Sequence, residues 1–210
     1  DFGSVHTPDP GEVPFEEEWE KRAFALALLS MRVSGTNLDS FRHSMNRLAP
    51  LDYLADGYYG RWLRGAENLL TDSGIIGEGA VDARTRKAVG EEVMEPPAPE
   101  PHKPNYKPAG PGSLRPLDTV PRFSPADRVR AKDIHPSGHT RLPHYVRGRV
   151  GAIRRVQPAQ VFPDTNAHFE GENVQHVYSV EFHSHDLWGT DAEDFVLHID
   201  LYDDYLEPVQ

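Results

Sequence analysis

The sequence contains no cysteine, which excludes disulfides, thiolate nucleophiles, iron–sulfur clusters and zinc–thiolate sites within this chain. Basic charge is also scarce: 22 Lys+Arg face 33 Asp+Glu, a formal net charge of -11. Nucleic acid and anionic membranes both need a basic face, so neither is an expected partner, although a local patch could escape the average. No run approaches the roughly 18 apolar residues of a bilayer-spanning helix. The opening Asp1-Phe2-Gly3-Ser4-Val5-His6 shows neither a basic nor an apolar leader region, so no signal peptide is expected and a cytoplasmic location is. A Gly-rich phosphate loop, a Gly-x-Ser-x-Gly elbow and a His-Glu-x-x-His helix are also missing, and intrinsic catalysis has little support.

What is present fits a folded chain. Hydrophobic residues are 38% of 210, and the 17 glycines bring the apolar share into the globular range. Proline marks the sharpest break, with nine of the 27 residues from Glu95 to Pro121. Such a stretch cannot join a helix or a central strand, and an extended strap laid across a surface is expected. The sequence therefore predicts a helical module over 1–94, a proline-rich linker over 95–121 and a strand-rich module over 122–210.

In the first module Phe15, Trp19, Ala23, Phe24, Leu26, Ala27 and Met31 follow a helical stripe after Pro14, with acidic Glu16, Glu17 and Glu18 in the first turn. Gly35 ends this helix. Asn37 is a plausible N-cap for a second helix carrying Leu38, Phe41, Met45 and Leu48, which Pro50 stops. A third helix is expected from Leu51 to about Thr71, and a weaker one over Val81–Val93. In the last module the alternation at 128–130, 148–156, 177–182 and 195–202 predicts short antiparallel strands and a small barrel. Each module is under 100 residues and lacks a disulfide, so a partner subunit is expected to complete the fold.

Three clusters could carry chemistry. His183-Ser184-His185 would place two imidazoles on one strand face as a metal pair. The third ligand would come from His135, His139, His144 or Asp186, but surface histidines at a strand end are the favoured reading. The run from Pro136 to Arg149 combines Arg141, Arg147 and Arg149 with aromatic-type rings and Gly/Pro corners. Its guanidinium forks could grip phosphate, carboxylate or oxidised sulfur, or simply be solvated. Leu38-Asp39-Ser40-Phe41-Arg42-His43 and Tyr58-Tyr59-Gly60-Arg61-Trp62 read mainly as core. Gly60 costs about 1 kcal/mol inside a helix and could mark close approach of another chain.

Taken in order, these stretches resemble the beta subunit of nitrile hydratase. The resemblance rests on Phe15 to Ala25; on Leu38 to His43 with Pro50, Tyr53-Leu54 and Tyr58-Tyr59; and on Gly138-His139-Thr140-Arg141 through Tyr145-Val146-Arg147-Gly148-Arg149-Val150-Gly151. Phe162-Pro163-Asp164 answers the family's Tyr-Pro-Asp, and Asp186-Leu187-Trp188-Gly189 its Glu/Asp-Leu-Trp-Gly.

The resemblance implies an α+β chain with N-terminal helices wrapping an alpha subunit, a proline-rich strap and a C-terminal SH3-like antiparallel β-barrel. It implies a hydro-lyase turning small nitriles into amides, active only with the alpha subunit, as an αβ heterodimer or α2β2 tetramer. That subunit would hold Co(III) or non-haem Fe(III) in a claw of oxidised cysteines, while this chain supplies no metal ligand. Arg42 and Arg147 would hydrogen-bond the oxidised sulfurs. Leu38, Phe41, Tyr58 and Trp62 would line the substrate channel, and His139 would join the surrounding network. Arg61 and Gly60 depart from some relatives. Rival readings are a thiocyanate hydrolase-type subunit, a metal-site maturation accessory, and an SH3-like nucleic-acid binder using Arg141, Arg147, Arg149, Arg154 and Arg155.

Overall fold

The computed structural model describes residues 14–209. They fall into two compact units, one of residues up to Ser34 with Arg47–His102, the other of Gly35–Asn46 with Lys103 onward. Where the sequence divides the chain at 94/95 and 121/122, the 35–46 segment folds with the C-terminal half. One long-range tie holds it there: the Asn37 side-chain amide donates to the Asn166 carbonyl at 2.8 Å.

The helical unit contains α1 (Glu18–Ser34), α3 (Pro50–Ala55), α4 (Gly57–Asp72) and α5 (Ala80–Ala88). The Glu20 carboxylate accepts the otherwise orphaned amides of Glu16 and Glu17 at 2.6 and 3.1 Å, fixing the start of α1. The stripe that α1 buries consists of small residues, Ala23, Ala27, Ser30 and Ser34, whereas Trp19 and Leu26 stay exposed. Small side chains let α1 lie close against α4, which buries Gly65, Ala66 and Leu69.

The expected single helix over 51–71 is two. Gly57 takes φ +66°, a left-handed conformation that interrupts the helical run between α3 and α4. Gly60 serves the same break. A Cβ there would sit 2.8 Å from the Cβ of Asp56, so its missing side chain makes room within this chain rather than marking another. Helix α5 ends at Ala88, five residues short of the expected Val93.

The second unit contains α2 (Leu38–Asn46), α6 (Pro163–Asn166), α7 (Ser184–Trp188) and a five-stranded sheet. Asn37 caps α2 as expected: its Oδ1 accepts the Ser40 amide at 2.9 Å, and the Ser40 hydroxyl accepts the Asn37 backbone amide at 3.1 Å. The strands are β1 (Arg128–Ala131), β2 (Val150–Gln160), β3 (Gln175–His183), β4 (Val196–Tyr202) and β5 (Leu206–Pro208). All neighbours are antiparallel in the order β4-β3-β2-β1-β5.

The sheet is open, not the closed barrel that strand alternation suggests. A 3-10 turn, Asp203–Tyr205, follows β4 and delivers only three residues of β5 to the opposite edge beside β1. The buried residues Val129, Ile153, Val177, Tyr178, Val180, Phe182, Leu201 and Leu206 belong to one hydrophobic cluster. Gly151 is needed for close packing: a Cβ there would meet the Glu181 carbonyl oxygen at 2.6 Å.

The proline-rich stretch carries no helix or sheet strand, only an isolated bridge between Leu114 and Gln160. Proline's missing donors leave its anchoring to other groups. In the helical unit the His102 amide donates to the Ser73 carbonyl at 2.9 Å. In the sheet unit Arg115 grips Glu172 through two bonds of 2.8 and 2.6 Å, and that guanidinium holds the Glu172 carboxyl below its ordinary range.

Candidate functional site

The arginine and histidine residues singled out from the sequence converge on the sheet unit. Helix α2 carries Asp39, Arg42 and His43. The Arg42 guanidinium pairs with Asp39 Oδ1 at 3.3 Å, and Asp39 Oδ2 accepts the Asn166 side-chain amide at 2.8 Å. The Asn166 carbonyl side of that amide accepts the Tyr106 hydroxyl at 2.8 Å, which fixes which end faces Asp39. Leu38 stands exposed at the start of α2, and Phe41 is fully buried behind it.

A loop over 138–142 brings His139 and Arg141. His139 is buried; its backbone amide donates to His168 Nε2 at 3.1 Å and its Nδ1 lies 3.3 Å from the Asn46 amide. A Cβ on Gly138 would fall 2.5 Å from His168 Nε2, so only glycine permits this approach. Burial drives the His139 pKa down to about 4, aided by the positive charges of Arg141 and Arg42 and opposed by Asp39. His139 is therefore neutral near pH 7. The His43 and His168 rings stack edge-on with centroids 4.7 Å apart. Burial also pushes the Tyr202 hydroxyl up to about 12, in a field set by Asp39, Arg141, Arg42 and Asp164.

The same loop is tied to α6. The Tyr205 hydroxyl donates to the Asp164 carboxylate and accepts the Arg141 amide at 2.9 Å. Burial raises the pKa of Asp164 and, with the Asp164 contact, that of Tyr205. At the far end of the loop the Leu142 carbonyl accepts Arg147 Nη2 at 3.1 Å, and Arg147 Nη1 lies 2.9 Å from His135 Nδ1. A 3-10 turn, His144–Val146, precedes Arg147 and Gly148 follows at φ +71°. Trp188 of α7 packs on Tyr145 of that turn, with centroids 5.6 Å apart, while Leu187 joins the core.

Two buried donors find no protein acceptor among the described residues: Arg147 Nε and His139 Nε2. Both atoms are shielded by this chain's own atoms, and leaving such a group unpaired costs about 1–3 kcal/mol.

Arg42, Arg147, His139, Leu38 and Phe41 thus share one unit, with Arg42 and Arg147 at opposite ends of the network through α6 and the 138–142 loop. Tyr58 and Trp62 belong to the helical unit on α4, Tyr58 exposed and Trp62 packed on Phe24 at 5.5 Å between centroids. His183 ends β3 and Ser184 opens α7, so His183 and His185 do not lie on one strand face. His185 lies 3.5 Å from Asp194. Among the described residues no group of three His, Cys, Asp or Glu could hold a metal. Sequence reasoning misses Asp39, Asp164, Asn166, His168 and Tyr205 as site residues; Phe162-Pro163-Asp164 is its nearest signal.

These features define a class: an α+β chain whose candidate site is a partly exposed arginine pair joined to a buried histidine network. The family is then plain. Residues 1–109 match the model of the nitrile hydratase beta subunit N-terminal region, and residues 112–208 the model of its C-terminal region. A nitrile hydratase subunit beta from Pseudomonas putida is 38% identical over 99% of this chain and 94% of its own length. A low-molecular weight cobalt-containing nitrile hydratase subunit beta from Rhodococcus rhodochrous is 33% identical over 96% of this chain and 92% of its own. A thiocyanate hydrolase subunit alpha from Thiobacillus thioparus is 34% identical, but over 41% of this chain and 71% of its own length. The chain belongs to the nitrile hydratase beta-subunit family.

Proposed function

We propose that this chain assembles with a nitrile hydratase alpha subunit, as αβ or α2β2, and that the complex hydrates small nitriles to amides. Unlike the thiocyanate hydrolase subunit, the beta subunits match from end to end, which favours the nitrile reading. The five-strand order with a 3-10 turn before β5 supports an SH3-like curl of the sheet, left partly open. The metal, Co(III) or Fe(III), would belong to the alpha subunit; held there by oxidised cysteines, it supplies Lewis acidity for attack on the nitrile.

The observation that carries this reading is the end-to-end match to nitrile hydratase beta subunits, with Arg42 and Arg147 on the same unit of this chain. Oxidised cysteines are anionic acceptors, and a guanidinium meets them with several donors in fixed directions and a permanent charge. Arg147 commits Nη2 to the Leu142 carbonyl, which aims the guanidinium. Arg42, held by Asp39, supplies the second fork. His139 stays neutral and buried beside them. Leu38 in the sheet unit and Tyr58 in the helical unit each present exposed apolar surface of the kind a small nitrile needs, whereas Phe41 is fully buried as core.

Lysine keeps the charge of arginine and loses the fork. Arg42→Lys and Arg147→Lys complexes, purified with the alpha subunit and checked for metal content, are expected to lose at least about a hundredfold in kcat, the cost typical of losing a preorganised polar contact. Wild-type kcat in either fully metallated variant would contradict the role.

A further inference from the structure

Helix α6 has only four residues, Pro163–Asn166, yet two of its side chains reach towards the two arginines by separate routes. The first route starts at Asn166, which is buried. Its Nδ2 donates to Asp39 Oδ2 at 2.8 Å, and Asp39 Oδ1 holds Arg42 at 3.3 Å. The Tyr106 hydroxyl donates to Asn166 Oδ1 at 2.8 Å and prevents the amide from turning its acceptor towards Asp39. The second route starts at Asp164. It accepts the hydrogen bond of the Tyr205 hydroxyl, so the lone pairs on that oxygen face the loop. They accept the Arg141 amide at 2.9 Å and the Thr140 hydroxyl at 3.3 Å. Residue 142 follows immediately, and its carbonyl receives Arg147 Nη2 at 3.1 Å.

We propose that α6 is a two-armed bracket that fixes the placement of Arg42 and Arg147, with Asn166 and Tyr205 as the positioning residue of each arm. This rests on the role given above to the two arginines. The physical requirement is registration: two rigid forks that must meet acceptors on one partner surface need a common reference, and displacements near 1 Å can cost about a hundredfold in rate. One short turn of backbone supplies that reference because Asp164 and Asn166 are only two residues apart.

The test is a crossed pair of double-mutant cycles in the complex with the alpha subunit. Asn166→Ala and Tyr205→Phe should each lower kcat about tenfold to a hundredfold with little change in KM. In the Arg42→Lys background Asn166→Ala should then add less than about twofold, because its arm no longer ends on a fork, while Tyr205→Phe keeps its full effect. In the Arg147→Lys background the pattern should reverse. Asn166→Asp, which keeps the shape and the Tyr106 bond but loses the donor, should behave as Asn166→Ala, whereas Asp164→Asn, which still accepts from Tyr205, should retain most of the activity. Hydrogen exchange gives a readout apart from turnover: Tyr205→Phe should speed exchange at 140–142 and leave the β2–β3 ladder protected. Additive losses in both backgrounds, or unchanged kcat in Asn166→Ala and Tyr205→Phe while the lysine variants are impaired, would overturn the bracket alone. Wild-type kcat in the lysine variants would overturn the arginine reading on which it rests.

Discussion

The two units bury opposite kinds of residue. The sheet unit encloses large side chains, with Tyr178, Tyr205, Phe182, Ile153 and Leu201 essentially inaccessible. The helical unit encloses small ones, Ala23, Ala27, Ala66 and Ala83, with Leu69 the largest buried aliphatic, while Leu51 and Leu54 remain 81% and 80% exposed. Leu26, Leu29, Val33 and Tyr58 are exposed as well. Hydrophobic stabilisation scales with apolar area removed from water, so the sheet supports itself and the helices leave much of their apolar area uncovered. That asymmetry suits the proposed assembly, in which the sheet unit would aim the arginines and the exposed apolar surface of the helices would take the partner.

The contrast can be broken at several strengths. Phe182→Ala in the sheet core should destabilise the isolated chain by about 3–5 kcal/mol, read as a shift in urea midpoint; a loss below about 1 kcal/mol would deny the sheet its self-sufficiency. Acid should weaken the same unit through His139, whose pKa falls from 6.5 unfolded to about 4 folded. Between those values the unfolded chain binds the extra proton, so stability is full above pH 6.5 and is lost as pH falls towards 4, by roughly 3 kcal/mol in all. His139→Gln should flatten that part of the pH profile; an unaltered profile would assign the acid sensitivity elsewhere.

Asn37→Ala removes the acceptor for the Ser40 amide at the start of α2 and should cost about 1 kcal/mol of stability in thermal unfolding. The smallest effect on the isolated chain belongs to the helical unit. Leu51→Ser with Leu54→Ser should change its unfolding by no more than about 0.5 kcal/mol, since both side chains already face water. The same pair should weaken assembly with the alpha subunit by at least about tenfold in a titration. Unchanged affinity would leave that exposed surface without a role in the complex.

How much of this is legible in the sequence follows from the range of the interactions. The α2 cap is a contact over three residues, and the strand alternation is a period of two, so both can be read directly. The break between α3 and α4 cannot, because the apolar stripe runs through it and only Gly57 and Gly60 mark it. The stripe of α1 misleads for a related reason: apolar spacing locates a helix face, but here α4 takes up Ala23 and Ala27 and leaves Trp19 outside. The open sheet depends on a three-residue β5 that alternation cannot detect.

At the candidate site, Arg42, Arg147 and His139 are accessible through the family resemblance. Their supports are not, since Asn166 reaches Asp39 across 127 positions and Tyr205 reaches Asp164 across 41. No local pattern encodes such pairs. Phe162-Pro163-Asp164 stands out as a motif, but its meaning lies in what Asp164 touches.

The central claim is met most directly by a crystal structure of this chain with its metallated alpha subunit, refined well enough to place guanidinium nitrogens. The account predicts the Arg147 guanidinium about 2.7–2.9 Å from an oxygen on an oxidised cysteine of the alpha subunit, with Arg42 on the same claw. Both guanidinium groups without any bond to the alpha subunit would contradict it.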